Sequence, residues 1–346
     1  MSGEGWSRRG LAAALAPALL SACVSPPPRR LISINLLDTP PAPPQPQPDV
    51  GAQLETAFDQ AKRMTVPVFL DGHGPFGFVV DTGANRTVVA TEVAAACGLA
   101  PAGQADVHGI AGVEPAGLAA VRRLSVGSVR SSSLMLPMLP RAQLGADGLL
   151  GVDILRGREM TLDFLENRFE IAASGQGVAI GRGTNSRIRS AVEPIQVGAT
   201  YRYGQLVILD AQVADVPVSA FLDSGAQVTV GNLALRDAVI HTHPDFGVHL
   251  APVPLISATG QTAMGEFAPL PTLRLGGMQI NQVLGIFAQL HIFDLWKLAD
   301  RPAILIGVDV LRHFRSVTLD FGRREVIFTP SPPGDQRVRL GARPAG

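Results

Sequence analysis

The chain has 346 residues, of which 46% are apolar and 17% are charged. This length is sufficient for two domains, and the apolar content supports a packed core and excludes general disorder. The 29 Lys and Arg residues balance the 29 Asp and Glu residues, so the formal net charge is zero. This balance removes the usual electrostatic basis for nucleic-acid binding. The two cysteines, Cys23 and Cys97, are too few for a disulfide framework.

The N-terminal residues 1–23 have the pattern of an export signal. Arg8 and Arg9 form a short basic region, and an apolar run of signal-peptide length follows them. This run is shorter than the roughly 20 residues that span a bilayer. It ends in Leu-Ser-Ala-Cys at 20–23, which resembles a bacterial lipobox, in which the cysteine is lipidated and becomes the mature N-terminus. We therefore expect an exported, periplasmic protein that a lipid on Cys23 anchors to a bacterial membrane.

A proline-rich segment follows the export signal. Residues 24–50 contain nine prolines, and this composition favours a stiff, extended polyproline spacer. We expect the spacer to hold the globular part of the protein away from the membrane surface.

The globular part of the chain contains an internal repeat. Each copy begins with two β-rich runs around a turn, which predict a hairpin whose second strand enters Asp-Thr/Ser-Gly-Ala. The aspartates of the two motifs are Asp81 and Asp223. Each motif is followed, in the same order, by a Gly-rich turn, an apolar-apolar-Gly triplet continuing into Val-Asp-x-Leu-Arg, and Thr-Leu-Asp-Phe. This shared order indicates a duplication, with insertions in the second copy at residues 235–256 and 286–300.

The repeat also predicts how the chain is divided. We expect an N-terminal lobe at 51–174, an interlobe linker at 175–194, a C-terminal lobe at 195–332 and a tail at 333–346. Trp296, in one of the two insertions, is expected to pack within the second lobe.

The two motifs can supply a pair of carboxyl groups to one site. Loops that face each other across a pseudo-two-fold axis would place Asp81 and Asp223 side by side. Two ionised carboxylates about 3 Å apart repel by about 5 kcal/mol at an effective dielectric of 20, so the pair holds one shared proton over a wide pH range. One acid and one base with a water between them can hydrolyse a peptide bond without a metal or a covalent nucleophile.

The paired motifs resemble those of aspartic proteases of the retropepsin-like, retroviral-type group, over roughly residues 60–330. This resemblance implies an all-β fold with two β-barrel lobes, a few short helices and a cleft between the lobes for a protein or peptide substrate. Retroviral enzymes carry one such unit per chain and dimerise, whereas this chain carries both. A monomer is therefore expected to have a complete site, and the resemblance implies neither a cofactor nor a metal.

The resemblance also assigns roles to individual residues. Asp81 and Asp223 correspond to the catalytic pair. The remaining residues of the two motifs are expected to support this pair, and they are Thr82, Gly83, Ala84, Ser224, Gly225 and Ala226. The glycines of the apolar triplets are expected to buttress the loops from behind, and they are Gly151 and Gly307. The expected flap tips contain Gly109, Gly112, Thr259 and Gly260.

Two features depart from the patterns of related enzymes. An aspartate, Asp153 or Asp309, stands two residues after the glycine of each triplet, and we interpret both as structural. Ala84 and Ala226 occupy positions where pepsin-like enzymes often carry a hydroxyl residue. Fewer donors to the carboxylates leave their pKa values higher, so we predict an enzyme that works at mildly acidic to neutral pH.

Two other interpretations of the sequence remain open. The same scaffold with a vestigial pair of aspartates would be a peptide-binding or assembly lipoprotein, although both aspartates, both hydroxyl neighbours and both glycines are intact. His241 and His243, with His249 nearby, are a weak indication of a metal site because no partner Cys and no His-Glu-x-x-His spacing accompanies them. The function that the sequence favours is that of an aspartic endopeptidase.

Overall fold

The structure is a computed structural model, and it describes residues 63–175, 193–257 and 261–331 together with the strands β1 (Ile32–Asn35), β2 (Gln53–Glu55) and β3 (Ala57–Phe58). The predicted export signal with Cys23, most of the predicted interlobe linker and the predicted tail lie outside these residues. None of the helices within the described ranges has both the length and the apolar character needed to cross a bilayer.

The first half of the chain is mostly β-structure. Its elements are β4 (Met64–Leu70), β5 (His73–Val80), β6 (Val88–Ala90), α1 (Thr91–Ala96), β7 (Ala100–Gly109), β8 (Gly112–Val126), β9 (Val129–Leu139), α2 (Arg141–Leu144), β10 (Gly148–Leu150), a 3₁₀ turn at Val152–Ile154, β11 (Arg158–Asp163) and β12 (Arg168–Ala173). The predicted hairpin before Asp81 is confirmed, since β4 pairs antiparallel with β5.

Six of these strands form a closed barrel. They pair in the order β4–β5–β10–β6–β9–β8, and β8 pairs back onto β4. Strand β4 contributes one face to the core of the barrel. Its alternate residues Met64, Val66, Val68 and Leu70 are buried, and the residues between them are more exposed. This alternation places every second side chain on the inner face.

The second half continues the β-structure. Its elements are β13 (Ile195–Arg202), β14 (Gln205–Ile208), β15 (Ala211–Val213), β16 (Val216–Pro217), β17 (Ser219–Leu222), β18 (Thr229–Gly231), α3 (Leu233–Thr242), a 3₁₀ turn at Pro244–His249, β19 (Ala251–Ile256), β20 (Thr262–Pro269), β21 (Leu273–Leu275), β22 (Met278–Asn281), β23 (Leu284–Ala288), α4 (His291–Leu295), β24 (Ala303–Ile306), α5 (Val308–Leu311), β25 (Phe314–Asp320) and β26 (Glu325–Pro330). Together the two halves give the predicted all-β fold with a few short helices.

The strands of the second half are divided between two sheets. The larger sheet contains β19–β20–β23–β18–β24–β17–β14–β13 and continues through β26 and β25 into β11, β12 and β2. The smaller sheet has the order β1–β22–β21–β15–β16. The connection between β14 and β17 is longer than the turn between β4 and β5, and it forms a hairpin of its own, β15 and β16. Consequently β15, and not β14, pairs with β21.

The two halves meet in an antiparallel pair of strands, β11 and β25, which carry the repeated Thr-Leu-Asp-Phe blocks. Thr161 lies opposite Thr318, and their buried hydroxyl oxygens are 2.7 Å apart. The neighbours of this pair follow the same register, with Met160 opposite Leu319 and Leu162 opposite Val317. Each half therefore presents the same strand to the other, which is the arrangement that a pseudo-two-fold axis requires.

Part of the predicted spacer forms a strand. Residues 32–35, β1, pair in parallel with β22 at one end of the smaller sheet. The sequence Ile-Ser-Ile-Asn contains no proline, and its alternating β-branched residues favour a strand. The expectation of a continuous polyproline spacer over residues 24–50 is therefore wrong at these four residues.

The insertion that contains α4 packs within the second half. Phe293, Trp296 and Leu298 are buried in one apolar cluster with Phe221 of β17, and the rings of Phe221 and Trp296 stack with centroids 4.4 Å apart. The prediction for Trp296 is confirmed.

The Thr161–Thr318 pair can be tested by substitution. Thr161→Val leaves the buried hydroxyl of Thr318 without this partner, and we expect a loss of about 1–3 kcal/mol in the free energy of unfolding. The double variant Thr161→Val/Thr318→Val removes both polar groups and is expected to lie closer to the wild type in urea unfolding. Thr262→Val, at an exposed position of β20, is the matched control. A double variant destabilised by the sum of the two single changes would contradict direct pairing.

Candidate active site

Each aspartate of the repeated motif stands at the end of a buried strand. Asp81 follows β5 and Asp223 follows β17, and their backbone N–H groups donate to the carbonyls of Leu150 (3.0 Å) and Ile306 (2.9 Å). These acceptors lie in β10 and β24, which pair in parallel with β5 and β17. The apolar triplets thus lie directly beside the loops.

The glycines of the triplets allow this close approach. A Cβ at Gly151 would lie 2.6 Å from the carbonyl carbon of Arg86, and a Cβ at Gly307 would lie 2.7 Å from the carbonyl oxygen of Val228. A side chain at either position would therefore displace the loop that carries the aspartate. These contacts agree with the buttressing role expected for the two glycines.

The two loops are joined by reciprocal hydrogen bonds. The Thr82 N–H donates to Ser224 Oγ (3.1 Å), and the Ser224 N–H donates to Thr82 Oγ1 (2.9 Å). Each hydroxyl then donates across the interface to a backbone carbonyl, Thr82 to Leu222 and Ser224 to Val80, both at 2.7 Å. All four bonds are buried. The prediction that Thr82 and Ser224 hold the loops together is consistent with these contacts.

Each carboxylate is held by the backbone of its own loop. Asp81 Oδ1 accepts from the N–H groups of Gly83 (2.9 Å) and Ala84 (3.0 Å). In the second loop, Asp223 Oδ1 accepts from the N–H groups of Gly225 and Ala226, both at 3.0 Å. Both carboxyl groups are therefore fixed by equivalent donors.

The carboxyl group of each aspartate lies against the glycine of the opposite loop. A Cβ at Gly83 would stand 2.5 Å from Asp223 Cγ, and a Cβ at Gly225 would stand 2.5 Å from Asp81 Oδ1. The two carboxyl groups are close enough for each to influence the pKa of the other. The structure thus brings Asp81 and Asp223 together, and only glycine leaves room for them.

The two carboxyl groups differ in their affinity for a proton. Burial raises the pKa of Asp81, while the charge of Arg63 and the loop N–H groups lower it. Burial, together with the neighbouring Asp81 charge, raises the pKa of Asp223 from 3.8 to about 7. Asp223 is therefore the group that holds the proton, and Asp81 is the first to ionise.

Two further aspartates, Asp153 and Asp309, accept hydrogen bonds from threonines that follow the two loops. Asp153 Oδ1 accepts from the backbone N–H (3.0 Å) and hydroxyl (2.7 Å) of Thr87. In the second half, Asp309 accepts the corresponding bonds from Thr229 at 3.0 and 2.9 Å. The threonine hydroxyls in turn accept from the N–H groups of the buttressing glycines, both at 3.1 Å. These contacts match the structural role expected for Asp153 and Asp309.

Two residues of the site, Arg63 and Gln205, were not predicted from the sequence. Arg63 is buried, donates to the Leu144 carbonyl at 2.7 Å and places its positive charge near Asp81. Gln205 is also buried, and its Nε2 donates to the Gly83 carbonyl (3.0 Å) and to Asn85 Oδ1 (2.8 Å) of the opposite loop. Arg63 and Gln205 stand the same number of positions before their aspartates, and this shared spacing is the signal that could have found them.

The expected flap tips are only partly within the described residues. Gly109 and Gly112 face each other where β7 turns into β8, so they lie at the tip of a hairpin. Thr259 and Gly260 lie outside the described residues, between the paired strands β19 and β20. Gln261, immediately before β20 of the second hairpin, donates to the Val113 carbonyl of the first hairpin at 3.5 Å, so the two hairpins meet.

The weak metal-site candidate can be examined in part. His243 Nε2 lies 3.3 Å from the Ala214 carbonyl, and the side chain of His249 is not among those described. Across the described ranges, no three His, Cys, Asp or Glu side chains are grouped so that they could hold a metal ion.

Residues 66–154 match the family model of aspartyl proteases. The matched segment includes Asp81 and Gly151 and lies within the first copy of the repeat. It supports a function of the aspartic-protease type. No curated protein matches the chain.

Several solved structures are similar to the chain at low identity. A retropepsin-like aspartic protease from Rickettsia conorii is 17% identical, with 39% of this chain and 89% of that chain covered and a TM-score of 0.28. An aspartic proteinase from Irpex lacteus is 11% identical, with 81% and 97% covered and a TM-score of 0.45. Conglutin gamma, a basic 7S globulin from lupine seeds, is 10% identical, with 81% and 95% covered and a TM-score of 0.46.

The loop-joining bonds predict a clear difference between two substitutions of one residue. Ser224→Ala removes the acceptor of the Thr82 N–H and the donor to the Val80 carbonyl, and we expect it to lower the free energy of unfolding by about 1–3 kcal/mol. Ser224→Thr, the residue found in the first loop, keeps both bonds and is expected to remain close to the wild type. Urea unfolding of the two variants measures the difference. Equal stability of the alanine and threonine variants would argue against the bonds.

The raised pKa of Asp223 predicts a pH-dependent effect on stability. The folded state holds this proton more tightly than the unfolded chain, so the stability linked to it is complete below 3.8 and is lost as pH rises through about 7. Asp223→Asn needs no buried charge and is expected to be more stable than the wild type by about 1–3 kcal/mol at about pH 8, with this advantage absent at about pH 4. Thermal unfolding at both pH values measures it. Asp245→Asn, at an exposed position, should change stability at neither pH, and an Asp223→Asn effect equal at both pH values would refute the assignment.

Proposed function

We propose that this chain is an aspartic endopeptidase that hydrolyses peptide bonds with a water activated by Asp81 and Asp223. The observation that carries the proposal is the placement of two carboxyl groups side by side, the buried Asp223 and the partly exposed Asp81, on loops that reciprocal Thr82–Ser224 hydrogen bonds join. The raised pKa of Asp223 adds that the pair can hold a proton at mildly acidic to neutral pH. The aspartyl protease match over residues 66–154 supports the same class of function.

The difference between the two carboxyl groups suggests their roles. Ionised Asp81, favoured by the Arg63 charge, accepts a proton from a water held between the carboxyl groups. Protonated Asp223 donates its proton to the oxygen of the peptide carbonyl as the water attacks the carbon. The proton on Asp81 then passes to the nitrogen of the leaving amine. As the bond between carbon and this nitrogen breaks, one hydroxyl of the intermediate returns its proton to Asp223 and becomes the carbonyl of the product acid, so the pair regains its starting state. The chain needs no second copy, because each half supplies one carboxyl group.

The substrate is proposed to be a protein or peptide in extended conformation. An extended peptide can form strand-like hydrogen bonds with neighbouring backbone, and the β7–β8 and β19–β20 hairpins are the elements that would close over it. Closure would keep water other than the attacking molecule away from the reaction.

The location of the enzyme is part of the same proposal. Residues 1–23 are proposed to direct export, and Cys23 is proposed to carry the lipid that anchors the protein in the periplasm to a membrane. The N-terminal and C-terminal lobes at 51–174 and 195–332 would then act together on substrates at the membrane surface.

Cleavage of a denatured protein by the purified full chain tests the proposal. Asp81→Asn and Asp223→Asn are each expected to lower the rate at least about 100-fold, because each removes one member of the acid–base pair. Asp245→Asn, which changes an exposed aspartate of the second half, is the control and should retain full activity. The rate of the wild type is expected to fall as pH rises above about 7, where Asp223 loses its proton.

The same assay separates the enzyme from the alternative of a non-catalytic, peptide-binding scaffold. Folded wild-type protein that binds denatured protein without cleaving it would support the scaffold. Retained cleavage in either asparagine variant would refute the assignment of the pair. A pepstatin-like transition-state mimic is included, and inhibition by it would support the enzyme.

A further inference from the structure

Two histidines join the tip of the first hairpin to the second half of the protein. His108, near the end of β7, stacks on His291, the first residue of α4, with ring centroids 5.2 Å apart and planes 10° from parallel. His108 Nδ1 and His291 Nε2 are 2.9 Å apart, at hydrogen-bonding distance. The two residues are far apart in sequence, and neither is needed for the chemistry of the aspartate pair.

A second contact fixes the same tip. The backbone N–H of His291 donates to the carbonyl of Ile110 at 2.8 Å. Ile110 also packs against the apolar cluster that contains Phe221, two residues before Asp223. The hairpin tip is therefore held against the apolar cluster of the second half.

The histidine pair depends on its state of protonation. A hydrogen bond between two imidazoles needs one ring nitrogen to donate and the other to accept, so at least one ring must be neutral. When both rings are protonated, all four ring nitrogens are donors and the two positive charges repel. Histidine is the side chain whose charge ordinarily changes in the range between about pH 5 and 8.

Charged residues on the elements that form this contact are few. Asp106 lies two residues before His108 on the same face of β7, and Glu114, at the start of β8, pairs with Val107 and so lies on the other face. Asp294 of α4 accepts a hydrogen bond from Gln289 at 2.9 Å.

We propose that His108 and His291 form a pH-sensitive latch that holds the β7–β8 hairpin closed, and that protonation of both rings releases the hairpin and admits the peptide substrate. The role as a substrate gate rests on the proposed function. His108 and His291 are positioning residues, since they act through the hairpin and not on the reacting atoms.

The helix that carries His291 has a counterpart in the first half. Helix α4 lies between β23 and β24, as α2 lies between β9 and β10. The sequence of α2, Arg-Ala-Gln-Leu, contains no histidine, so α2 offers no equivalent of the contact that His291 makes with His108.

Hydrogen–deuterium exchange of the full-length Asp81→Asn variant tests the latch without relying on activity. Exchange is followed at the β7–β8 tip and at the His291 amide, at about pH 5 and about pH 7.5, with rates corrected for the intrinsic effect of pH. We expect these amides to be protected at the higher pH and to exchange at least about tenfold faster at the lower pH.

Two paired substitutions separate charge from shape. His108→Phe/His291→Phe keeps two stacked rings without a titrating group, and slow exchange is expected at both pH values. His108→Lys/His291→Lys mimics the doubly protonated pair, and fast exchange is expected at both. His241→Gln, which changes an exposed histidine of α3, should behave like the parent. Slow exchange of β10 in every variant shows that the barrel remains folded.

The outcomes distinguish the latch from the enzyme. Equal protection of the parent at both pH values, or a pH difference that survives in the phenylalanine pair, would overturn the latch. Failure of the proposed function would instead appear as the absence of cleavage by the wild-type chain, and the exchange results would be unchanged by it.

Discussion

Two carboxyl groups do not remain side by side in a buried site unless other contacts hold the loops that carry them, because burial and mutual repulsion both oppose the arrangement. Here the opposing force comes from the Thr82 and Ser224 loops, in which each backbone N–H donates to the hydroxyl of the other. The two hydroxyls donate to backbone carbonyls across the interface, so they do not donate to the carboxyl groups. The repulsion between the carboxyl groups is therefore reduced by a proton on one of them. That proton lies on Asp223, because burial and the Asp81 charge raise its pKa to about 7.

The near symmetry of the site makes its one electrostatic asymmetry important. Equivalent backbone donors hold Asp81 and Asp223, and two identical environments would share a proton equally. The residues at the position of Arg63 and Gln205 differ, however, and only the arginine carries a charge. Its charge lowers the pKa of Asp81, so the proton is biased towards Asp223. Divergence at this repeated position therefore contributes to the different affinities of the two carboxyl groups for a proton.

The parts of the molecule that could be predicted from the sequence are those encoded by short, repeated segments. The aspartates, Thr82 and Ser224, and the triplet glycines each lie in motifs that occur twice, so their symmetric placement follows from the duplication. The His108–His291 pair is different, because its members are 183 positions apart and the helix equivalent to α4 in the first half, α2, carries no histidine. Strand β1 was also missed, because the composition of a proline-rich segment obscures a four-residue strand that pairs with a distant partner. Local patterns thus predict the site, whereas contacts between distant, unrepeated segments depend on tertiary packing.

The two halves differ in the contacts that they offer to a hairpin. In a strictly symmetric pair of units, both hairpins would meet the same surroundings, and any contact that held one closed would hold the other as well. In this chain the tip of the first hairpin is bonded to α4 through Ile110 and His108, and the apolar cluster around Trp296 and Phe221 fixes α4 to the strand leading to Asp223. The position of the hairpin is thereby coupled to the half of the site that retains the proton. In the proposed function and the proposed latch, the chemistry at the aspartate pair and access to it therefore depend on separate groups.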